Sequence, residues 1–219
     1  MRHKLQKIIP EYSFLPVATL LALNILTYNG TRLITGNMHH YDITTPLDTA
    51  TPFVPAFILI YLLAFVQWIS GYMIIARESR EVCYYIFSAE MFAKLCCLII
   101  FFIFPTTLVR PEITGTGFFD RICSLVYSLD AADNLFPSIH CLESWVVFRG
   151  ALYVKKLPGW YKWITLIFSL LVFASTVLVK QHVLLDMAGA VILVETGLFL
   201  SKKLHFDRFF IVLEKRFAR

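Results

Sequence analysis

FPSIH (Phe136–His140) and STVLVKQHVLLD (Ser175–Asp186) are the two pieces of sequence on which the reading of this chain turns. Each places a histidine, His140 or His182, at the edge of a strongly apolar run, in a chain with only six histidines. Imidazole is costly in hydrocarbon, so two of them at span ends facing one water layer point to a site. Asp186 follows His182 by one helical turn, where its carboxylate can hold the ring in a single tautomer.

The composition around these pieces sets the fold class. Of the 219 residues, 58% are hydrophobic and 16% charged, against about a quarter charged in ordinary globular proteins. Several apolar runs reach the roughly 20 residues that a helix needs to cross a bilayer. The expectation is an all-α integral membrane protein: one polytopic domain over residues 1–219, with six transmembrane helices around a helical bundle core. The net charge of +5 reads as loop lysine and arginine on the cytoplasmic side, and no nucleic-acid-binding motif accompanies it. The five cysteines form no CxxC pair, and those in apolar runs behave as small hydrophobes.

The basic head MRHKLQK precedes a first apolar run, Phe14 to Tyr28. No small-x-small cleavage site follows it, so a retained span is expected rather than a signal peptide. Asn29 to Pro52 reads as a polar loop in which His39 and His40 are solvated. Further spans are expected over residues 53–76, 84–104, 138–154, 160–179 and 183–201. RESRE (Arg77–Glu81) reads as a short charged loop, and Lys202–Arg219 as a basic tail. In the connection 105–137, FFDR opens a short amphipathic surface helix, and Asp130, Asp133 and Asn134 read as turn and cap residues. Glu90 and Lys94, four apart inside the third span, are expected to pair, although an intramembrane ion pair is also a site candidate. Glu143 and Glu195 take no role. About fifteen lysines and arginines fall on the side of the termini, against four (Arg32, Arg110, Arg121, Lys180) on the other. The termini are therefore expected in the cytoplasm and both histidines on the extracytoplasmic face.

That face carries the parts that phosphoryl transfer needs: a nucleophile, an acid for the leaving oxygen, and fixed donors around the equatorial oxygens. His182 backed by Asp186 suits a nucleophile that becomes a phosphohistidine, and His140 suits the general acid. Arg110, Lys180 and Ser138, with N–H groups at a helix start, suit phosphate binding. Lys180 could instead anchor at the interface, Asp186 could cap the last span, and the histidines could simply close helix ends. No ligand set with metal spacing is present, so neither metal nor cofactor is expected.

These residues resemble the type 2 phosphatidic acid phosphatase family, whose members share a fold with vanadium haloperoxidases. That family carries Lys-x6-Arg-Pro, Pro-Ser-x-His and Ser-Arg-x5-His-x3-Asp motifs. Arg110-Pro111 matches the end of the first, Pro137 to His140 the second, and Ser175, His182 and Asp186 the third. The resemblance covers roughly residues 50–190. Two cations of the pattern are missing: Ile103 stands where the first motif has Lys, and Thr176 where the third has Arg. Lys180 is the obvious replacement. The Ser-Thr start of the third motif, and LDTATPFVP before the second span, look like the branch that contains inositol phosphorylceramide synthases.

The resemblance implies a metal-independent lipid phosphatase acting on a lipid phosphate or diphosphate monoester held in the bilayer. The alternatives are a lipid phosphotransferase with an alcohol acceptor, or a non-catalytic membrane protein such as a transporter or scaffold. The compact chain and short loops suggest a bacterial plasma membrane.

Overall fold

The computed structural model of the chain describes residues 9–217. The basic head Met1–Lys7, with its three cations, and Arg219 of the tail lie outside the described residues.

The first helical segment is longer than the apolar run suggests. Helix α1 (Glu11–Ile25) passes through a π-helical turn (Leu26–Gly30) into α2 (Thr31–Thr35). The expected loop therefore begins only after Thr35. Thr27, Thr31 and Thr35 recur every fourth residue on one buried face. Thr31 donates its hydroxyl to the Thr27 carbonyl at 2.6 Å and Thr35 to the Thr31 carbonyl at 3.1 Å, while the Thr27 hydroxyl has no partner among the described residues. Thr31 and Thr35, which read as polar loop, thus belong to a hydrogen-bonded helix face.

Strand β1 (Tyr41–Asp42) pairs in parallel with β2 (Thr106–Thr107), tying the first loop to the chain after the third span. Between them in sequence lie α3 (Pro46–Ala50), a 3₁₀ turn (Pro55–Phe57), α4 (Ile58–Glu78) and α5 (Arg80–Ile103). RESRE is not a loop. Only Ser79 is outside a helix, and its hydroxyl caps α5 by accepting the Val82 N–H at 3.1 Å. Arg77 in the last turn of α4 and Glu81 in the first turn of α5 suit the two helix dipoles.

Helix α6 (Phe118–Leu129) is the expected amphipathic helix, with Cys123 on its buried side. Helices α7 (Ile139–Ala151), α8 (Tyr161–Leu178) and α9 (Leu184–Leu204) follow. The expected basic tail contains α10 (Asp207–Phe217), which seats the buried Phe210 in the main core and pairs Glu214 with Arg80.

Among the described residues, five helical segments are long and apolar enough to cross a membrane: Glu11–Thr35, Pro55–Glu78, Arg80–Ile103, Tyr161–Leu178 and Leu184–Leu204. These are compatible with an integral membrane protein. The fourth expected span is absent from that set because α7 has 13 residues. At 1.5 Å per residue it reaches about 20 Å, against a hydrocarbon core of about 30 Å. It packs inside the bundle against α4, α5, α8 and α9. Glycines allow its approach to α4: a Cβ on Gly71 would stand 2.4 Å from a Val147 methyl, and one on Gly150 2.3 Å from Ile75.

The bundle interior holds one charged cluster. Lys94 Nζ lies 2.9 Å from Glu90 Oε1, as the spacing predicts, and also 2.8 Å from Glu143 Oε1 on α7. The Tyr72 hydroxyl lies between the two carboxylates, 2.5 Å from Glu90 Oε1 and 2.9 Å from Glu143 Oε2, with one proton to share between them. Glu195 bonds the Trp145 indole at 2.8 Å and pairs with Arg149 at 2.8 Å.

Candidate functional site

The long connections gather at one end of the bundle, where α8 ends and α7 and α9 begin. Helix α8 stops in a Schellman arrangement: the Lys180 N–H donates to the Val177 carbonyl at 3.1 Å and the Gln181 N–H to the Thr176 carbonyl at 2.9 Å. Lys180 takes the left-handed position, φ 51°, where glycine is usual and a Cβ costs roughly 1–2 kcal/mol. The Thr176 carbonyl also accepts the His182 N–H at 3.1 Å. The position that the family pattern fills with arginine thus serves here through its main chain, its hydroxyl donating to the Phe173 carbonyl at 2.8 Å.

Two residues on, α9 starts. Asp186 Oδ2 accepts the Val183 N–H at 3.1 Å and lies 2.9 Å from His182 Nδ1. The imidazole is 10% exposed and the carboxylate 0%. With the Nδ1 proton donated to the carboxylate, Nε2 carries the lone pair. The one-turn spacing read from sequence is realised as this contact.

Ser138 caps α7, its Oγ accepting the Cys141 N–H at 3.3 Å, and its own N–H donates to the Asp186 carbonyl at 3.2 Å. The second bond fixes the start of α7 against the start of α9. His140 then stacks on Tyr61, with ring centroids 4.2 Å apart, and meets Trp68 at 5.0 Å. The His140 and His182 centroids are 6.2 Å apart. His140 Nε2 is buried without a partner among the described residues.

The two expected cations differ in what they have free. Arg110 lies over the Tyr127 ring at 4.6 Å and donates to the Asp130 carbonyl and to Gln181 Oε1, each at 2.5 Å. Its Nε, and the Gln181 amide nitrogen, have no partner among the described residues. Lys180 Nζ donates to two main-chain carbonyls, Asp48 at 2.7 Å and Thr51 at 2.6 Å. Two of its three protons therefore hold the first loop. Ile103, at the position of the missing lysine, is the last residue of α5 and is exposed.

His182 borders two cavities. A cleft of about 450 Å³ is lined by Arg110, Lys180, His182, Asp42, Thr44 and Asp48 among apolar side chains. A more enclosed cavity of about 310 Å³ is lined by His140 and His182 together with Tyr61, Phe65, Trp68 and Phe101. His182, Asp186, His140, Ser138, Arg110 and Lys180 thus occupy one neighbourhood. His39 and His40 do not join it: His39 packs edge-on against Tyr41 and His40 Nδ1 lies beside the Met38 carbonyl. Among the described residues no three His, Cys, Asp or Glu side chains converge as a metal site.

Asp130, Asp133 and Asn134 do more than turn the chain. The Tyr28 hydroxyl donates to Asp130, Arg32 pairs with Asp133 at 3.1 Å, and Asn134, at φ 51°, donates to Thr35 at 3.0 Å. They hold the loop before His140 against α1 and α2. Three further residues of the site escape the sequence reading. Asp48 carries a weak signal, since Thr45-x-x-Asp48 is a capping box. Gln181 adjoins the histidine with no motif of its own, and Tyr61 is hidden in an apolar run. Burial tends to raise the Asp48 carboxyl, but the Thr45 hydroxyl, the Leu184 and Thr45 N–H groups and the Lys180 charge together hold it below its ordinary 3.8.

Comparison of the chain with family models, with curated proteins and with solved structures found no match in any of the three.

Proposed function

We propose that the chain is a metal-independent lipid phosphatase that hydrolyses a lipid phosphate or diphosphate monoester through a phosphohistidine. The observation that carries the reading is the His182–Asp186 pair at 2.9 Å, with the His140 ring 6.2 Å away. A nucleophilic imidazole oriented by a carboxylate, beside a second titratable ring, is the constellation such a transfer requires.

In the first step His182 Nε2 attacks phosphorus, forming the N–P bond as the P–O bond to the lipid alcohol breaks. His140 gives a proton to that leaving oxygen. Asp186 holds the Nδ1 proton and balances the charge that develops on the ring. In the second step water attacks the phosphohistidine and gives its proton to His140, releasing phosphate and restoring His182. Arg110 and the Ser138 hydroxyl keep donor capacity for the phosphoryl oxygens. The aromatic cavity beside His140 suits the apolar part of the substrate, and the cleft that Arg110 lines suits its phosphate. By the charge bias, this end of a six-span bundle faces outward and the termini lie in the cytoplasm.

The test is a panel of lipid phosphates and diphosphates offered to the purified protein in detergent. Phosphate should be released without an added alcohol, and acid-labile label from a ³²P substrate should reside on His182. Turnover only with an acceptor alcohol would make the protein a transferase. No turnover and no labelled histidine across the panel would end the proposal.

A further inference from the structure

The segment that carries His182 is held from outside the three motifs, by the first loop. Asp48 is 4% exposed, and two of its oxygens reach this junction while its other polar atoms bond Thr45. Its Oδ1 accepts the Leu184 N–H at 2.7 Å, two residues beyond His182. Its Oδ2 accepts the Thr45 N–H at 2.9 Å and the Thr45 hydroxyl at 2.5 Å, which closes the loop on itself. Its main-chain carbonyl accepts Lys180 Nζ at 2.7 Å, two residues before His182. The nucleophile is thus gripped on both flanks by one residue. The Val54 N–H donates to the Leu178 carbonyl at 2.8 Å, so the same loop also closes the end of α8.

The grip has something to work against. Lys180 stands in a left-handed conformation without being glycine, a geometry that persists only where neighbours over-determine it. Asp186 fixes the His182 ring only while α9 starts at its present place, and the Leu184 N–H belongs to that start. Moving the start would shift the imidazole against His140 and Arg110. A displacement of about 1 Å in such a site can cost on the order of a hundredfold in rate.

We infer that Asp48 is a positioning residue for His182, and that Lys180 is its partner in one clamp rather than a phosphate ligand. The inference rests on the proposed role of His182, but it makes a claim about imidazole placement that needs no substrate. Asp48 touches no reacting atom. It acts through the Leu184 N–H and, through its carbonyl, on Lys180.

The test uses the full chain in detergent, with ¹⁵N-labelled histidine followed by NMR and a lipid phosphate followed by turnover. Asp48→Ala should move the His182 ring resonances and leave those of the exposed His39 in place. It should lower kcat roughly a hundredfold with KM within about twofold, because the phosphate contacts remain. Asp48→Asn keeps an acceptor for Leu184 and should recover part of the loss. Where Asp48→Ala fails to fold, Asp48→Asn, Lys180→Met and their combination carry the test. A single clamp predicts that the double variant loses little more than the worse single one. Unmoved His182 resonances in the Asp48 variants would overturn the inference. So would a Lys180→Met that raises KM alone, or losses that multiply. If the protein turns over no lipid phosphate, the proposed function fails while the NMR arm still decides the clamp.

Discussion

Asp186 Oδ2 serves two donors at once, the His182 imidazole at 2.9 Å and the Val183 N–H at 3.1 Å. One oxygen therefore sets both the tautomer of the ring and the place where α9 begins. Asp186→Asn can turn its amide nitrogen toward Nδ1 and reverse the tautomer. Turnover should fall by on the order of 10³–10⁴, with substrate binding little changed, as expected when an orienting carboxylate is lost. Native kcat in this variant, measured on a lipid phosphate, would remove Asp186 from the mechanism.

His140 and His182 should separate by leaving group. His182→Ala removes the nucleophile, and should abolish both labelling and turnover. His140→Ala removes the proton donor, so it should retain more activity on a nitrophenyl phosphate than on a lipid phosphate. Equal losses on the two substrates would show that His140 is not the acid.

The ligands available at the site are imidazoles and cations, with carboxylates already bonded to His182, Thr45 and Leu184. Turnover should persist in EDTA, and orthovanadate should inhibit by taking the five-coordinate geometry at His182. Activity lost to EDTA and restored by Mg²⁺ would contradict the mechanism.

Lys94 compensates two buried carboxylates, Glu90 and Glu143, at 2.9 and 2.8 Å. Lys94→Met leaves both without a counter-charge and should destabilise the bundle by about 3–5 kcal/mol. Glu143→Gln removes one negative charge and keeps an acceptor, so its cost should be smaller. Thermal unfolding in detergent reads the difference, and an unchanged melting temperature for Lys94→Met would refute it.

Asp48 sits below its ordinary value of 3.8 in the folded chain. A depressed carboxyl stabilises the fold above its unfolded pKa, and that contribution is lost as pH falls through the folded pKa. The groups facing it are Lys180, Thr45 and the N–H of Leu184. Hydrogen exchange of the Leu184 amide should be slow at pH 5 and speed up only below about pH 4. Acceleration already between pH 6 and 5 would assign the loosening to a histidine instead.

The apolar runs made most of the helices legible, because length and hydropathy are what a bilayer selects. The reading failed where polar residues serve a helix. Thr31 and Thr35 looked like loop because their hydroxyls are polar, yet with Thr27 they recur every fourth residue on one buried face. Residues 138–154 form a single apolar run, but the run does not show how much of it is helix, and α7 has only 13 residues. At the site, residues with a fixed spacing along the chain were readable: His182 and Asp186 by one helical turn, Ser138 and His140 by a helix start. Asp48 lies 136 residues from Leu184, and no local pattern announces a hydrogen bond at that separation. Lys180 was visible as a cation, but which oxygens its ammonium meets is a property of the folded loop.

The shortness of α7 has a consequence for how the chain is made. A 13-residue helix with Glu143 in its second turn is a poor candidate for release from the translocon into lipid on its own. Glu90 and Lys94 belong to one helix and can neutralise each other as α5 enters the bilayer, whereas the counter-charge of Glu143 resides on that earlier segment. Helix α7 should therefore wait for a berth already formed by α4 and α5. Lys94→Met would then expose the defect during synthesis, as nascent chains held at the insertase or cleared by membrane proteases, before any finished protein exists to be unfolded.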